Sequence, residues 1–452
     1  GRPSPCRAPG TPALRPSATA QRAGHRPAGT LDKVRATRSP AAVVACLPPG
    51  TDAVAVRDGR RTVVAAMPSE VVSADGVAAL AALDTLTPGW WAGFLTYDLG
   101  RAVERVTPRP PGTPGEGPLF PDLLLARFEA RLVIDPVRGR SRVEGQGQAA
   151  ELLRDTAARA ASVDASVARP QLGPWSSSLS RAGFEDGVHA IKELLTAGEC
   201  YQANLTRQLR CERAADPVTL LASLERHNPA PHQAMIRIGD LAVVSASPER
   251  FLKTSGRSVE TRPMKGTGTN PLALSSSAKE RAENVMIVDL ARNDLGRVCE
   301  FGSVEVPALC AVEAHPGLFQ MVSTVRGVLR PDAGLGDLIR ATFPPASVTG
   351  APKPQVLQVI EDLEPVRRGV YCGAVGWLDT ERDELDLAVA IRTFAISAGS
   401  TGVAGRPGWT ALGVGSGIVA DSDPASEWRE TELKAARLLE AAGRRTPIEA
   451  AS

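Results

Sequence analysis

GVGSGIVADSDPASEWRETELKAARLLEAAG, residues 413–443, is a glycine-rich run that feeds directly into a helix. Asp423 is placed to cap that helix and Pro424 to open it, because the first helical position tolerates a residue without an N–H. Trp428, Leu433, Leu438 and Leu439 are the apolar positions expected to face a core. Glu427 and Glu430, three residues apart, fall on one face. The small residues of 413–417 let backbone N–H groups approach an anion closely, and the positive end of the following helix favours a carboxylate.

The same pairing of acids recurs upstream. SAKERAENVMIVDLARND (277–294) reads as a helix carrying Glu280 and Glu283 one turn apart. Two facing acidic pairs make a hard-oxygen site suited to Mg²⁺, which keeps waters and takes remaining ligands from an anionic substrate. Taken alone, each pair reads far more readily as solvent-facing carboxylates that complement a helix dipole. ASPERFLKTSGRSVETRPMKGTGTN (246–270) reads as strand, turn, strand, with Glu249 and Lys265 able to meet across it. On an exposed hairpin these two are a surface salt bridge. Buried, the Glu stays protonated as a general acid, and the Lys is neutral enough to act as nucleophile or base.

FPPASVTGAPK (343–353) and YCGAVGW (371–377) add two more runs of small residues. Arg392, in LAVAIRTF (387–394), is read on a strand among apolar Ala390, Ile391 and Phe394. Its guanidinium wants an acidic partner, by default one of the protein's own carboxylates. His189, His227, His232 and His315 show no ligand spacing and are assigned structural roles.

Working outward, FEDGVHAIKELLTAG (184–198) places Val188, Ile191, Leu194 and Leu195 on one helical face and stops at Gly198. YQANLTRQLRCE (201–212) follows as a strand. Helices over 276–295, 353–363 and 424–442 alternate with strands such as LAVVSAS (241–247), GAVGWLDT (373–380) and LDLAVAIRTFAIS (385–397). AVAVRDGRRTVVAAM (53–67) alternates as two strands joined by Asp58-Gly59, AGFLTYDLG (92–100) is a further strand, and AAELLRDTAARAASV (149–163) has helical spacing. The organisation expected is a disordered basic leader over 1–40, a mostly β region over 41–165, and a catalytic region over 170–445. PRPPGTPGEGP (108–118) reads as a long surface loop.

The chain has 452 residues, 43% hydrophobic and 23% charged, which is ordinary globular composition and excludes collagen-like, disordered or disulfide-stapled classes. Its 52 basic and 50 acidic side chains nearly balance, which argues against nucleic acid as the main partner. No apolar run is long enough to span a membrane. Seven scattered cysteines fit reduced cytoplasmic thiols better than disulfides or zinc. Only seven of the basic residues are lysines, so each lysine is informative.

Nine stretches together resemble one family, the chorismate-utilising enzymes, and within it the chains that aminate chorismate at C4. They are GFLTYDLGRAVERV (93–106), YQANLTRQL (201–209), SASPERFL (245–252), TRPMKGT (261–267), ERAENVMIVDLARNDLGRV (280–298), FPPASVTGAPK (343–353), LEPVRRGVYCGAVGWL (363–378), LAVAIRT (387–393) and GSGIVADSDPASEWRETELKA (415–435). The resemblance implies an α+β fold: a large core of antiparallel sheets flanked by helices, with the active site between them. It implies Glu283 and Glu430 as Mg²⁺ ligands, supported by Glu280 and Glu427, and Glu249 as the general acid that helps the C4 hydroxyl leave. Arg392, Tyr371 and the Gly415–Ser416–Gly417 backbone would bind carboxylates, with Thr349 and Lys353 lining the same region.

Two positions discriminate within the family. Members that add water to chorismate carry a basic Lys where Gln202 stands here, and an amide has no basic lone pair at neutral pH. Anthranilate synthases carry a small residue where this chain has Lys265, whose amine would attack ring carbon C2 before ammonia enters at C4. The reaction implied is Mg²⁺-dependent amination to 4-amino-4-deoxychorismate, on the way to 4-aminobenzoate and folate. The alternatives are an anthranilate synthase component and a catalytically silent relative. Where many relatives have a His, this chain has Phe319 and Gln320, and FPPAS replaces the commoner FPGGS. No GxCxG-type glutaminase segment is found, so ammonia would come from solution or from a separate glutamine amidotransferase subunit.

Overall fold

Ala53–Asp58 and Arg61–Ala66 form the hairpin that their alternation predicts, registered from Ala53 opposite Ala66 to Asp58 opposite Arg61. Gly59 closes the turn at φ 58°, a conformation glycine adopts without steric cost. In the computed structural model, which describes Gly1 and residues 33–34, 39–104, 106–107, 120–162, 170–315, 318–399, 407–444 and 449–450, this hairpin belongs to a 13-stranded sheet. A second sheet has 10 strands, and pairing within it is antiparallel throughout. Most of the proposed leader and the 108–118 loop lie outside the described residues.

The two sheets meet face to face. Val54, Val56 and Ile236 of the first interdigitate with Trp90, Phe94 and Val375 of the second in one buried cluster. Helices Gly147–Ala160, Pro217–His227 and Pro424–Ala441 cover the outer face of the first sheet, while Gly76–Leu83, Ala278–Gly296 and Leu335–Thr342 cover that of the second. The result is the expected α+β arrangement of antiparallel sheets flanked by helices. Each helix buries one apolar stripe against a sheet face, which is where most helical stability comes from.

Local signals act as read. Gly198 ends Arg181–Ala197 at φ 75°, and the Asp423 side chain accepts from the Ser426 N–H ahead of Pro424. The described residues of 39–162 hold seven strands along with several helices, yet they form no layer of their own. Strand Ala53–Asp58 pairs with His232–Ile238 in the first sheet, and Trp90–Leu95 pairs with Ala374–Asp379 in the second.

Three local expectations are corrected. Of the 92–100 stretch, only the residues up to 95, which end strand Trp90–Leu95, are strand. Tyr97–Leu99 is a 3₁₀ turn and Gly100–Val103 a helix, where a Cβ on Gly100 would lie 2.5 Å from Pro344. Leu433 is 75% exposed, because two residues past the inward-facing Thr431 the helix has turned it to the solvent side. LDLAVAIRTFAIS is two strands: Glu384–Val389 belongs to the second sheet and Thr393–Ser397 to the first, with Arg392 at φ 52° between them.

Candidate active site

Two chain crossings between the sheets lie side by side and carry two of the candidate residues. Strand Leu241–Ser247 runs in the first sheet and Arg250–Ser255 in the second, so Glu249 sits on the link. Arg392 sits on the reverse link. The links are tied by Ala246 N–H to Arg392 O at 3.0 Å, Val389 N–H to Glu249 O at 3.0 Å, and the Ser247 hydroxyl to Val389 O at 2.6 Å. Sequence alternation alone reads Arg392 as strand because its neighbours are apolar on both sides; those neighbours pack into two different layers.

Glu249 is buried, and burial pushes its carboxyl up to about 7 against the opposing pull of the Ser347 hydroxyl, Lys265 and the Met264 backbone N–H. Lys265 lies on strand Met264–Gly268. Burial holds its amine below the usual lysine range, with Lys434 acting in the same sense and Glu283, Glu249 and Glu430 pulling against them. A carboxyl that titrates near neutrality beside a lysine eased toward its neutral form can deliver a proton and a nucleophile to one substrate.

Gly417 marks where these groups converge. It lies opposite Asn204 in the pairing of Gln202–Cys211 with Trp409–Ile418. A Cβ there would stand 2.5 Å from Gln202 Nε2, 2.9 Å from Asn204 Oδ1 and 3.3 Å from Lys265 Nζ. Gln202 is fully buried, and among the described residues neither its Oε1 nor its Nε2 has a hydrogen-bond partner. A buried primary amide left in that state costs about 1–3 kcal/mol, which a bound polar group recovers.

The acidic pairs flank Lys265 from two helices. The Ser277 hydroxyl caps Ala278–Gly296 by accepting from the Glu280 N–H at 3.3 Å, and Glu280 reaches the lysine strand because Gly266, at φ 86°, has no Cβ; one would lie 2.8 Å from Glu280 Oε2. Burial raises the Glu283 carboxyl, with Glu280 and Glu430 adding to it and Lys265 and Lys279 opposing. Burial also acts upward on Glu430, but Lys434 at 2.6 Å, Lys265 and Lys279 outweigh it and hold that carboxyl low. Glu427 is buried and accepts from the Ser416 hydroxyl. Among the described residues no three His, Cys, Asp or Glu side chains converge as metal ligands. Glu283 and Glu430 are the two acids that sense both each other and Lys265.

Arg392 is half-buried, and burial, helped by Arg437, lowers its pKa. Among the described residues it forms no ion pair, so the acidic partner expected from the protein itself is not there. A guanidinium so placed suits a substrate carboxylate. The Tyr371 ring occupies the space a side chain at Gly413 would need, and burial pushes its hydroxyl well above its ordinary range. Gly415 O accepts from Lys434 Nζ at 2.9 Å. Thr349 is buried, donating to Pro345 O at 3.0 Å and accepting from the Tyr97 hydroxyl at 3.2 Å. The Lys353 ammonium is buried on Asp294 at 2.7 Å and Thr342 O at 3.0 Å, so it ties the ends of helices Ala278–Gly296 and Leu335–Thr342 together, and both partners line the same cavity as Glu249.

Sequence reasoning missed Ser347, Asn204 and Lys434. The scarcity of lysine pointed to Lys434, which lies four residues after Glu430 and so on its face of the helix. Nothing in the sequence indicates that Ser347 reaches Glu249.

A family model described as chorismate binding enzyme matches residues 49–440. Aminodeoxychorismate synthase component 1 of Klebsiella aerogenes is 36% identical over 361 residues, covering 77% of this chain and 76% of that protein. Anthranilate synthase component 1 of Pseudomonas aeruginosa is 35% identical over 367 residues, covering 76% and 73%. The crystal structure of anthranilate synthase component I from Streptococcus pneumoniae TIGR4 superposes with a TM-score of 0.70 at 26% identity, covering 84% of this chain and 93% of that one. A match that spans both sheets and every acidic helix places the chain in the chorismate binding enzyme family.

Proposed function

We propose that this chain aminates chorismate at C4 with ammonia to give 4-amino-4-deoxychorismate. The observation that carries the reading is the Lys265 amine, set beside Gly417 and Gln202 with Glu249 at hand. In the first step the Lys265 Nζ lone pair bonds to ring carbon C2, both ring double bonds shift (C1=C2 to C6=C1 and C5=C6 to C4=C5), and the C4–O bond breaks. Glu249 gives its proton to the departing hydroxide, which leaves as water. Ammonia then bonds at C4, both double bonds shift back, the C2–N bond breaks with its electron pair returning to Lys265, and the proton shed by the new C4 ammonium restores Glu249. The enolpyruvyl ether survives, so no pyruvate is lost.

Arg392 and the 415–417 backbone would hold carboxylates, and Gln202, lacking a basic lone pair, would leave water unactivated. Glu283 and Glu430, with Glu280 and Glu427 beside them, would hold Mg²⁺, whose charge neutralises the ring carboxylate. The donor set is of the hard-oxygen type that ion prefers. A separate amidotransferase subunit is the expected ammonia source, in keeping with relatives named as component 1.

The second reading is anthranilate synthesis, favoured by relatives of that name at almost equal identity. The purified chain, given chorismate, Mg²⁺ and ammonium at mildly alkaline pH, decides. C4 amination predicts 4-aminobenzoate only when aminodeoxychorismate lyase is added; fluorescent anthranilate without lyase would establish the second reading instead. Lys265→Ala is expected to lower C4 amination at least a hundredfold while chorismate still binds, and full turnover in that variant would remove the covalent step.

A further inference from the structure

Behind the site lies an ion pair that the chemistry above does not use. Glu364 and Arg368 are both buried, and the guanidinium meets the carboxylate twice, at 3.0 Å from Nε and 2.6 Å from Nη2. Neither group stops at its partner. Arg368 Nη1 donates to Val348 O at 2.9 Å and Nη2 to Asn204 O at 2.9 Å, while Glu364 Oε1 accepts the Thr206 N–H at 2.8 Å. The guanidinium also stacks 4.5 Å over the Tyr97 ring, whose hydroxyl reaches Thr349.

Each bonded segment presents a residue of the site. Strand Gln202–Cys211 begins with Gln202. The turn around Val348 carries Ser347, and it is laced to the strand by Asn204 N–H to Thr349 O at 2.9 Å and Asn204 Nδ2 to Ser347 O at 3.2 Å. The pair itself stands on the loop that leads to Tyr371. A buried ion pair adds little net stability over an apolar filling of the same volume. What it can do that an apolar filling cannot is donate and accept at fixed directions to three backbones at once.

We propose that Glu364 and Arg368 are positioning residues: together they clamp the 202–206 strand and the 346–350 turn, so that Ser347 meets Glu249 and Gln202 faces Lys265. The proposal rests on Glu249 being the acid of the reaction. Charged and titratable groups around Glu249 are Lys265, Arg250, Cys372 and the Asp294–Lys353 pair. None of them is a partner of the clamp's hydrogen bonds to Asn204, Thr206 and Val348.

The test compares Arg368→Lys, which keeps the charge and loses the directed donors, with Ser347→Ala, through the pH dependence of ammonia-dependent turnover. Turnover needs Glu249 protonated and falls as pH rises through its pKa. The Ser347 hydrogen bond lowers that pKa, so losing it moves the alkaline limb to higher pH. Arg368→Lys is expected to cut kcat tenfold or more, to change the chorismate KM less than threefold, and to move the limb in the same direction as Ser347→Ala. The double variant should move it no further. A limb at the wild-type pH in Arg368→Lys, with Ser347→Ala displaced, overturns the clamp. If Arg368→Lys does not fold, Glu364→Gln, which retains an acceptor for Thr206, is held to the same criteria. If Glu249→Gln keeps the wild-type limb, the assignment of the acid has failed, and the clamp then stands or falls on the kcat of Arg368→Lys, which a wild-type value overturns.

Discussion

At the scale of single residues the site is governed by desolvation working against a few short-range charges. Glu249 is the clearest case. Its ordinary carboxyl value of 4.5 rises to about 7 because burial outweighs Ser347, Lys265 and the Met264 N–H. A group whose folded-state pKa is raised contributes stability that is fully present below its unfolded value and is lost as pH rises through the folded one. Between about pH 5 and pH 8 the native protein should therefore lose on the order of 3 kcal/mol relative to Glu249→Gln, which has nothing to ionise there. Denaturant unfolding of both proteins at the two pH values measures this directly. Parallel stabilities would mean that Glu249 ionises freely in the folded chain and does not serve as an acid near neutrality.

At the scale of elements, what matters is how closely two strands and two helices approach Lys265. Gly417 has an extended backbone that any residue adopts, so alanine there strains no dihedral; its methyl would instead press on Gln202, Asn204 and Lys265. Gly417→Ala is expected to lower turnover tenfold or more with a melting temperature within a few degrees of wild type. By contrast, a Cβ at Gly376 would run into the Asp386 backbone, and Gly376→Ala should fail to fold. Equal losses of stability in the two variants would show that Gly417 serves the sheet and not the site. Local rules made several elements readable in advance: capping at Asp423, the stop at Gly198, and the hairpin at Gly59 depend on nearest neighbours alone. The switch of layer at Arg392 was not readable, because a run that is apolar on both sides looks the same whether one sheet or two receive it. The buried partner of Lys353 was not readable either. Its sequence neighbours resemble a binding loop, and only the tertiary fold brings Asp294 to it.

At the scale of the whole molecule, the two sheets are continuous across the point where the chain seemed to divide. His232–Ile238 finds its outer neighbour in Ala53–Asp58, and Ala374–Asp379 finds its own in Trp90–Leu95. Removing residues 39–162 would therefore strip both sheets to long unpaired edges in the middle of their width. It would also take away Val54, Val56, Trp90 and Phe94 from the core between them. Edges of that kind pair with other chains, and the missing apolar surface cannot be recovered by a fragment that keeps every catalytic candidate. A chain of residues 170–452 is thus expected to aggregate or to lack a cooperative unfolding transition, despite holding Glu249, Lys265 and all four acidic helix residues. Co-expression with residues 39–162 should restore a soluble complex, because each missing strand has a defined register to return to. A monomeric, cooperatively folding 170–452 fragment would show instead that the catalytic half closes its own sheets, and that the N-terminal strands are an addition to a site already complete.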